Sequence, residues 1–383
     1  MCPFRFLGAE HATIRVVRFF ATAPKGTETA LFEELTELST PRARQRPGGV
    51  EFAGRFIDAY RVCLHSRVAG RVLWTLEEFG VRGEKDLYAA VREIGWEEHI
   101  DAARTVAVRA VGAAEGLSHT NFVAQRTKDA IVDRLRDVIG ERPNVDREDP
   151  DVSVFVRLHR GRATVALDLA GQSLHRRGLR AATGPAPLKE NVAAAVVRLS
   201  GWDKKSPFLD VLCGSGTLCI EADHIARDVA PGLFREQYGF QRWLSYEKRL
   251  LKDFTRLRKQ ARARVKSEGP EVRGSDLDPS VVAAAREYAA AAESKASFDV
   301  MDAADLKSTL PAGTVCSNTP YGERLAADPE LFRRLEAALA SLAPGHRVAM
   351  LLGPETELRV PPFATRHEIY NGALECRLAR WIT

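Results

Sequence analysis

The stretch PFLDVLCGSGTLCIEADHIA (207–226) constrains this chain more than any other. An apolar run leads into a glycine-rich turn and then into a segment with helical spacing, which is the order strand, turn, helix. Gly214 and Gly216 permit positive φ and let a ligand approach the backbone closely. Further apolar runs follow, EVRGSDLD (271–278), ASFDVMDAADL (296–306), GTVCSNTP (313–320) and HRVAMLLG (346–353), each leading into a helix or turn. This alternation predicts a parallel α/β sheet with helices on both faces. Ligands of such sheets bind at the carboxyl ends of the strands.

Upstream the pattern differs. Residues 14–22 alternate like a strand, PKGTETALFEELTEL reads as a turn and an amphipathic helix, and Gly48–Phe52 as a turn into a strand. RFIDAYRVCLHSRVAGRVLWTLEEF (55–79) carries helical spacing before returning to extended chain, further helices are expected at 84–94 and 121–139, and a strand at 105–111. The runs VFVRLH and ATVALDL around Arg160-Gly161-Arg162 predict a hairpin. Residues 1 to about 170 are therefore α+β in character. HRRGLRAATGPAP (175–187) has too little apolar content for an element and reads as linker.

The six cysteines (Cys2, Cys63, Cys213, Cys219, Cys316, Cys376) form no CxxC pair, which argues against a structural metal or a disulfide framework and fits a reducing compartment. Cys213 and Cys219 read as packing residues. No apolar run is long enough to span a bilayer, and the first twenty residues lack the order of a secretory signal, so a cytoplasmic protein is expected. Charge is unevenly placed: residues 241–268 hold ten basic and three acidic side chains, while the whole chain is only +5. Such a run is either a solvated helix face or a phosphate-binding surface.

The glycine turn alone is a weak signal. A nicotinamide fold would place its third glycine at Cys219 and an acid about 20 residues on, whereas the next strand-end acids are Asp276 and Asp278. No Gly-Lys-Ser/Thr follows, which excludes a phosphate-binding loop of that type. A nucleoside ligand without a pyrophosphate remains, S-adenosylmethionine being the common one. Asp276 is placed to accept ribose hydroxyls and Asp302 an adenine amine, although a lone Asp at either position also suits a helix cap. In SNTPYGERL (317–325) the Asn318 side chain and the Thr319 carbonyl offer two acceptors, Pro320 fixes the turn, and Tyr321 offers a flat face. Together they suit an exocyclic amine on a planar base, held in line with a methyl sulfonium. Cys316 lies on the preceding strand, which disfavours cytosine C5 chemistry through a cysteine nucleophile.

These residues resemble the THUMP-domain RNA guanine-N2-methyltransferases, particularly the bacterial group acting on 23S ribosomal RNA. FFATAPKGTE, SHTNFVAQRTKDAIVDRLRD, LHRGRATVALDLAGQSLHRRGLR, APLKENVAAAVV, LDVLCGSGTLCIEA, GFQRW, GSDLDP, NTPYGERL and YNGALECRL carry the resemblance in order along almost the whole chain. It implies a ferredoxin-like α+β region at 1–70, a THUMP RNA-binding domain at 71–172, a linker at 173–187, and a Rossmann-like methyltransferase domain at 188–383 with a basic insertion at 236–268. It also implies S-adenosylmethionine as cofactor, near Asp210, Cys213, Gly214, Ser215, Gly216, Thr217, Asp276, Leu277, Asp302, Ala303 and Asn318. Asn318, Thr319, Pro320 and Tyr321 would present a flipped guanine. The expected partner is RNA, with transfer RNA as the alternative to ribosomal RNA, in a monomer without metal. A non-catalytic RNA-binding assembly factor is the rival outside enzymes. The sequence departs from the family's Asn-Pro-Pro-Tyr at Thr319, where ring rigidity is lost.

Overall fold

The computed structural model describes residues 16–179, 188–244, 248–306, 312–321, 329–354 and 356–383. Most of the expected linker (180–187) and the Gly322–Leu325 end of the SNTPYGERL motif lie outside the described residues.

The N-terminal half contributes strands β1 (Val17–Thr22), β2 (Arg44–Arg46), β3 (Gly49–Gly54), β4 (Arg71–Gly80), β5 (Thr105–Gly112), β6 (Asn144–Val145), β7 (Val152–His159) and β8 (Arg162–Asp168). Helices α1 (Glu28–Glu37), α2 (Phe56–His65), α3 (Glu84–Arg92) and α4 (Thr120–Ile139) cover them. All eight strands form one sheet, ordered β2-β3-β1-β4-β8-β7-β5-β6. β4 joins its two parts: Trp74 lies opposite Phe19 of β1 and, on the other side, Leu167 of β8. The expected boundary at residue 70 thus falls at the edge of a strand shared by both parts, and one hydrophobic core runs through them. The expected hairpin is β7–β8, turning at Arg160 and Gly161 with φ of 48° and 70°.

The C-terminal half contains α5 (Glu190–Leu199), β9 (Phe208–Asp210), α6 (Thr217–Ala226), α7 (Lys248–Arg264), β10 (Val272–Asp276), α8 (Pro279–Ala291), β11 (Ser297–Val300), β12 (Thr314–Asn318), α9 (Pro329–Ala340), β13 (Arg347–Leu352), β14 (Thr365–Asn371) and β15 (Leu374–Ile382). Its sheet runs β11-β10-β9-β12-β13-β15-β14. β9 through β13 are parallel, as expected, but β15 is antiparallel to both β13 and β14. Beyond the strands expected from the sequence, Asn371-Gly372, with Gly372 at φ 68°, closes an antiparallel hairpin at the sheet edge. α8 starts as its sequence dictates, with Pro279 in the first turn and the Asp278 carboxylate accepting from the Ser280 N–H at 2.8 Å.

The basic segment does not pack on its own sheet. Phe254, Leu257 and Ala261 of α7 sit on one helical face and enter the N-terminal core. There Phe240 stacks on Tyr60 of α2 (4.1 Å) and meets Phe254 edge-on (5.1 Å), so GFQRW is a packing anchor. Much of the positive charge is engaged: Arg258 donates to the Leu233 and Arg235 carbonyls, and Arg256, Arg262 and Arg264 pair with Asp253, Glu293 and Asp228. The halves also meet elsewhere. The Tyr370 N–H of β14 donates to the Lys25 carbonyl at 2.9 Å, and a Cβ on Gly26 would lie 2.1 Å from the Glu368 oxygen. Arg67 and Arg177, both buried, converge on buried Glu221 of α6, with Arg177 Nη2 at 3.2 Å.

Candidate active site

The carboxyl ends of β9, β10, β11 and β12 lie side by side and bring together the residues singled out in the sequence. After β9 the chain turns through Cys213–Gly216, closed by a 2.8 Å bond from the Gly216 N–H to the Cys213 carbonyl. Gly214 adopts φ 51°, and a Cβ there would meet nothing within 4 Å, so its face is open. Gly216 adopts φ 75° for a different reason: a Cβ would lie 2.6 Å from the Phe298 ring. Asp276, at the end of β10, latches this turn. Its Oδ2 accepts from the Gly214 N–H at 3.0 Å and its Oδ1 from the Asp278 N–H at 3.1 Å. Leu277, beside it, is 68% exposed, unusual for a leucine at a sheet end. Cys213 is buried in the C-terminal core, as its packing role requires, and the Ser215 and Thr217 hydroxyls approach to 3.3 Å.

Asp210 is the buried acid beneath the turn. Burial pushes its carboxyl up to about 7, helped by the nearby charge of Asp276 and opposed by the Ser317 hydroxyl and the Leu212 N–H. Ser317 also accepts from the Val211 N–H at 2.9 Å, tying β12 to the turn. Asp302 caps the short turn after β11 by accepting from the Ala304 N–H at 2.9 Å, and its other oxygen pairs with Arg334 of α9 at 2.8 Å. Ala303 is buried and offers only its backbone to a ligand.

Asn318 ends β12 with its Oδ1 buried and unpartnered, a costly state for an amide oxygen. The Thr319 carbonyl accepts no bond from a described residue. Among the described residues, therefore, neither acceptor anticipated from the sequence has a partner. Thr319 itself is fully buried, its N–H and its hydroxyl each donating to the Leu351 carbonyl at 3.0 Å. Two hydrogen bonds thus take over the holding role of the missing ring. Tyr321 is less free than a simple platform: its ring lies directly over Gly353, and its hydroxyl accepts from Asn371 at 3.2 Å. Burial raises that hydroxyl above its ordinary value. Ser317, Arg334, Gly353 and Asn371 escaped the sequence reading, and of these only Arg334 sat outside the motifs that had drawn notice.

Family comparison recognises three stretches of this chain: an RlmL ferredoxin-like domain at 18–73, a THUMP domain at 81–168, and an RMKL-like methyltransferase domain at 177–353. The chain carries a THUMP domain followed by an RMKL-like methyltransferase domain. A relative from Syntrophotalea carbinolica, named ribosomal RNA large subunit methyltransferase K/L, is 40% identical over 94% of this chain and 53% of its own length. The chain thus spans about half the length of the curated relatives it matches. Among solved structures, SMU.472 in complex with SAH superposes with a TM-score of 0.81 at 28% identity, covering 96% of this chain and 98% of that one. A Listeria monocytogenes chain named as an N6-adenine-specific DNA methylase gives 0.83 at 26% identity, with 96% of each covered. The Rossmann-like methyltransferase fold expected for the C-terminal half is the observed one. Among the described residues no helix is long and apolar enough to cross a membrane.

Proposed function

We propose that this chain transfers a methyl group from S-adenosylmethionine to the exocyclic N2 amine of a guanosine in RNA, with large-subunit ribosomal RNA as the substrate. The observation that carries this reading is the buried Asn318 Oδ1 beside the Thr319 carbonyl, neither of which has a partner among the described residues. The residues also fit the cofactor: the open face of Gly214 leaves room against the backbone, and Asp276 keeps spare lone pairs for ribose hydroxyls. Leu277 would cover one face of the adenine, and Asp302, held by Arg334, would accept from its amine. The relatives' name and the SAH-bound neighbour point the same way.

When bound, the cofactor supplies a methyl group on a positively charged sulfur. The chain supplies position. An aromatic amine is a poor nucleophile because its lone pair is delocalised into the ring. Asn318 Oδ1 and the Thr319 carbonyl would accept hydrogen bonds from its two N–H groups, raise electron density on nitrogen and aim the lone pair. Tyr321, braced by Gly353 and Asn371, would support the flipped base. The nitrogen becomes acidic as it is alkylated, so its proton passes to water without a strong base. The THUMP region, with Lys252 and Lys259 of α7, which have no ion pair among the described residues, would hold the RNA through its phosphates.

Single-turnover transfer of labelled methyl to ribosomal RNA, followed by nucleoside analysis, tests this. Asn318→Ala should lower the transfer rate about 10²–10³-fold, roughly 2.7–4 kcal/mol, with both substrates still bound. Label recovered as N6-methyladenosine instead of N2-methylguanosine would overturn the choice of base. An Asn318→Ala variant as fast as wild type would overturn the mechanism.

A further inference from the structure

Where the chain leaves β8, a cavity of about 110 Å³ opens on the N-terminal half, lined by Arg71, Arg109, Arg176, Arg242, Glu148 and Asp149 among others. Two of its four arginines are engaged. Arg71 pairs with buried Asp168 and donates to the Gly171 carbonyl at 2.9 Å. Arg242 grips Asp149 at two points, 3.0 and 2.7 Å. Arg109 and Arg176 are exposed, and their side chains form no hydrogen bond or ion pair with any described residue. Burial and the neighbouring guanidinium of Arg71 hold Arg109 below its ordinary value, with Asp168 opposing and Arg176 adding to the push. Arginine nevertheless stays charged at neutral pH, so like charges converge on one cavity while the nearby carboxylates of Asp168 and Asp149 are already taken. Glu148 is the remaining acid on the lining and has no cation paired to it among the described residues.

Guanidinium forks match tetrahedral oxyanions at two points, and an oxyanion between them removes the repulsion. The cavity has room for a phosphate group between these side chains. We propose that Arg109 and Arg176 form a seat for a single backbone phosphodiester of the substrate RNA, an inference that rests on the RNA reading above. The position favours a polymer over a free ion. The loop 171–176 leads from β8 toward the methyltransferase half, and Gly171 packs against Gly239 of the anchoring turn, 3.0 Å from a Cβ to its nitrogen. A strand held there lies beside the close contact of Gly171 with Gly239, where the loop after β8 meets the segment that leads to α7.

The full chain, the double variant Arg109→Ala/Arg176→Ala and the charge-keeping Arg109→Lys/Arg176→Lys would be titrated with a large-subunit ribosomal RNA transcript between about 50 and 200 mM salt. Loss of one phosphate contact should flatten the log–log salt slope by about 0.9 and weaken binding roughly tenfold. The lysine pair should keep the slope, and Glu148→Gln should bind more tightly than wild type. Binding of S-adenosylmethionine, followed by calorimetry, should be unchanged in every variant. Neither guanidinium has a partner among the described residues, so melting temperatures should hold. If wild type and the alanine pair share one slope and one affinity, the seat is not used by RNA. Inorganic phosphate that binds wild type but not the alanine pair, with the RNA slope unchanged, would assign the site to a free anion and overturn the proposal. If the wild type itself ignores RNA while binding S-adenosylmethionine, the RNA reading fails, and this inference falls with it.

Discussion

Thr319→Pro separates two ways of holding the Asn318–Tyr321 turn. The family's proline would fix φ by its ring; this chain uses hydrogen bonds. The Thr319 N–H and hydroxyl both reach the Leu351 carbonyl at 3.0 Å, one position beyond the Asn318–Leu351 pair that ends the β12–β13 ladder. Proline removes both donors at once and leaves that carbonyl without them in a fully buried setting. An unsatisfied buried group of this kind costs about 1–3 kcal/mol. The ring returns about 0.4–1 kcal/mol by restricting the unfolded chain. The net expectation is a loss of about 1–2 kcal/mol. Thr319→Val keeps the N–H and should lose about 1 kcal/mol or less. Because Asn318 is the preceding residue, a shifted turn also moves its Oδ1, so the proline variant should transfer methyl more slowly at saturating substrates. Urea unfolding followed by fluorescence, together with single-turnover rates, measures both effects. A proline variant as stable and as fast as wild type, or more so, would refute the claim that these bonds hold the turn.

Gly353→Ala should cost more activity than stability. The added Cβ would lie 2.1 Å from Tyr321 Cγ, so the ring must move off its support and away from Asn371; overpacking of this kind costs about 1–3 kcal/mol, and unchanged transfer kinetics would show that the ring's position is irrelevant. Asp210 gives the pH test. Its carboxyl is pushed from 3.8 in the unfolded chain to about 7 in the fold, so between those values the folded state keeps a proton the unfolded state has released. Stability should therefore be greatest below about pH 4 as far as this group is concerned, and should fall as pH rises toward 7, by up to about 1.4 kcal/mol per unit. Asp210→Asn should remove that slope, and melting temperatures of the two proteins that run parallel across this range would show that Asp210 is not held protonated.

The strand, turn and helix at 208–226 and the strand ends at Asp276, Asp302 and Asn318 were legible because each is encoded within about ten neighbouring residues. What escaped is long-range. Arg334 reaches Asp302 from another helix, Asn371 reaches Tyr321 from the edge hairpin, and α7 buries its apolar stripe in the other half of the molecule. The glycines show the limit most plainly. In sequence, Gly26, Gly214, Gly216 and Gly353 look alike, each at a turn or a strand end. In space, a Cβ on Gly26 would strike the Glu368 oxygen, one on Gly216 the Phe298 ring and one on Gly353 the Tyr321 ring, so these three are demanded by packing. Gly214 alone of the four faces open space, with φ of 51° and its N–H held by Asp276. Positive φ explains part of that choice, since L side chains adopt it only with strain. Packing does not explain the rest. A glycine kept bare toward an empty face, latched by the very carboxylate proposed to hold the ribose, is what close approach of a ligand to the backbone requires.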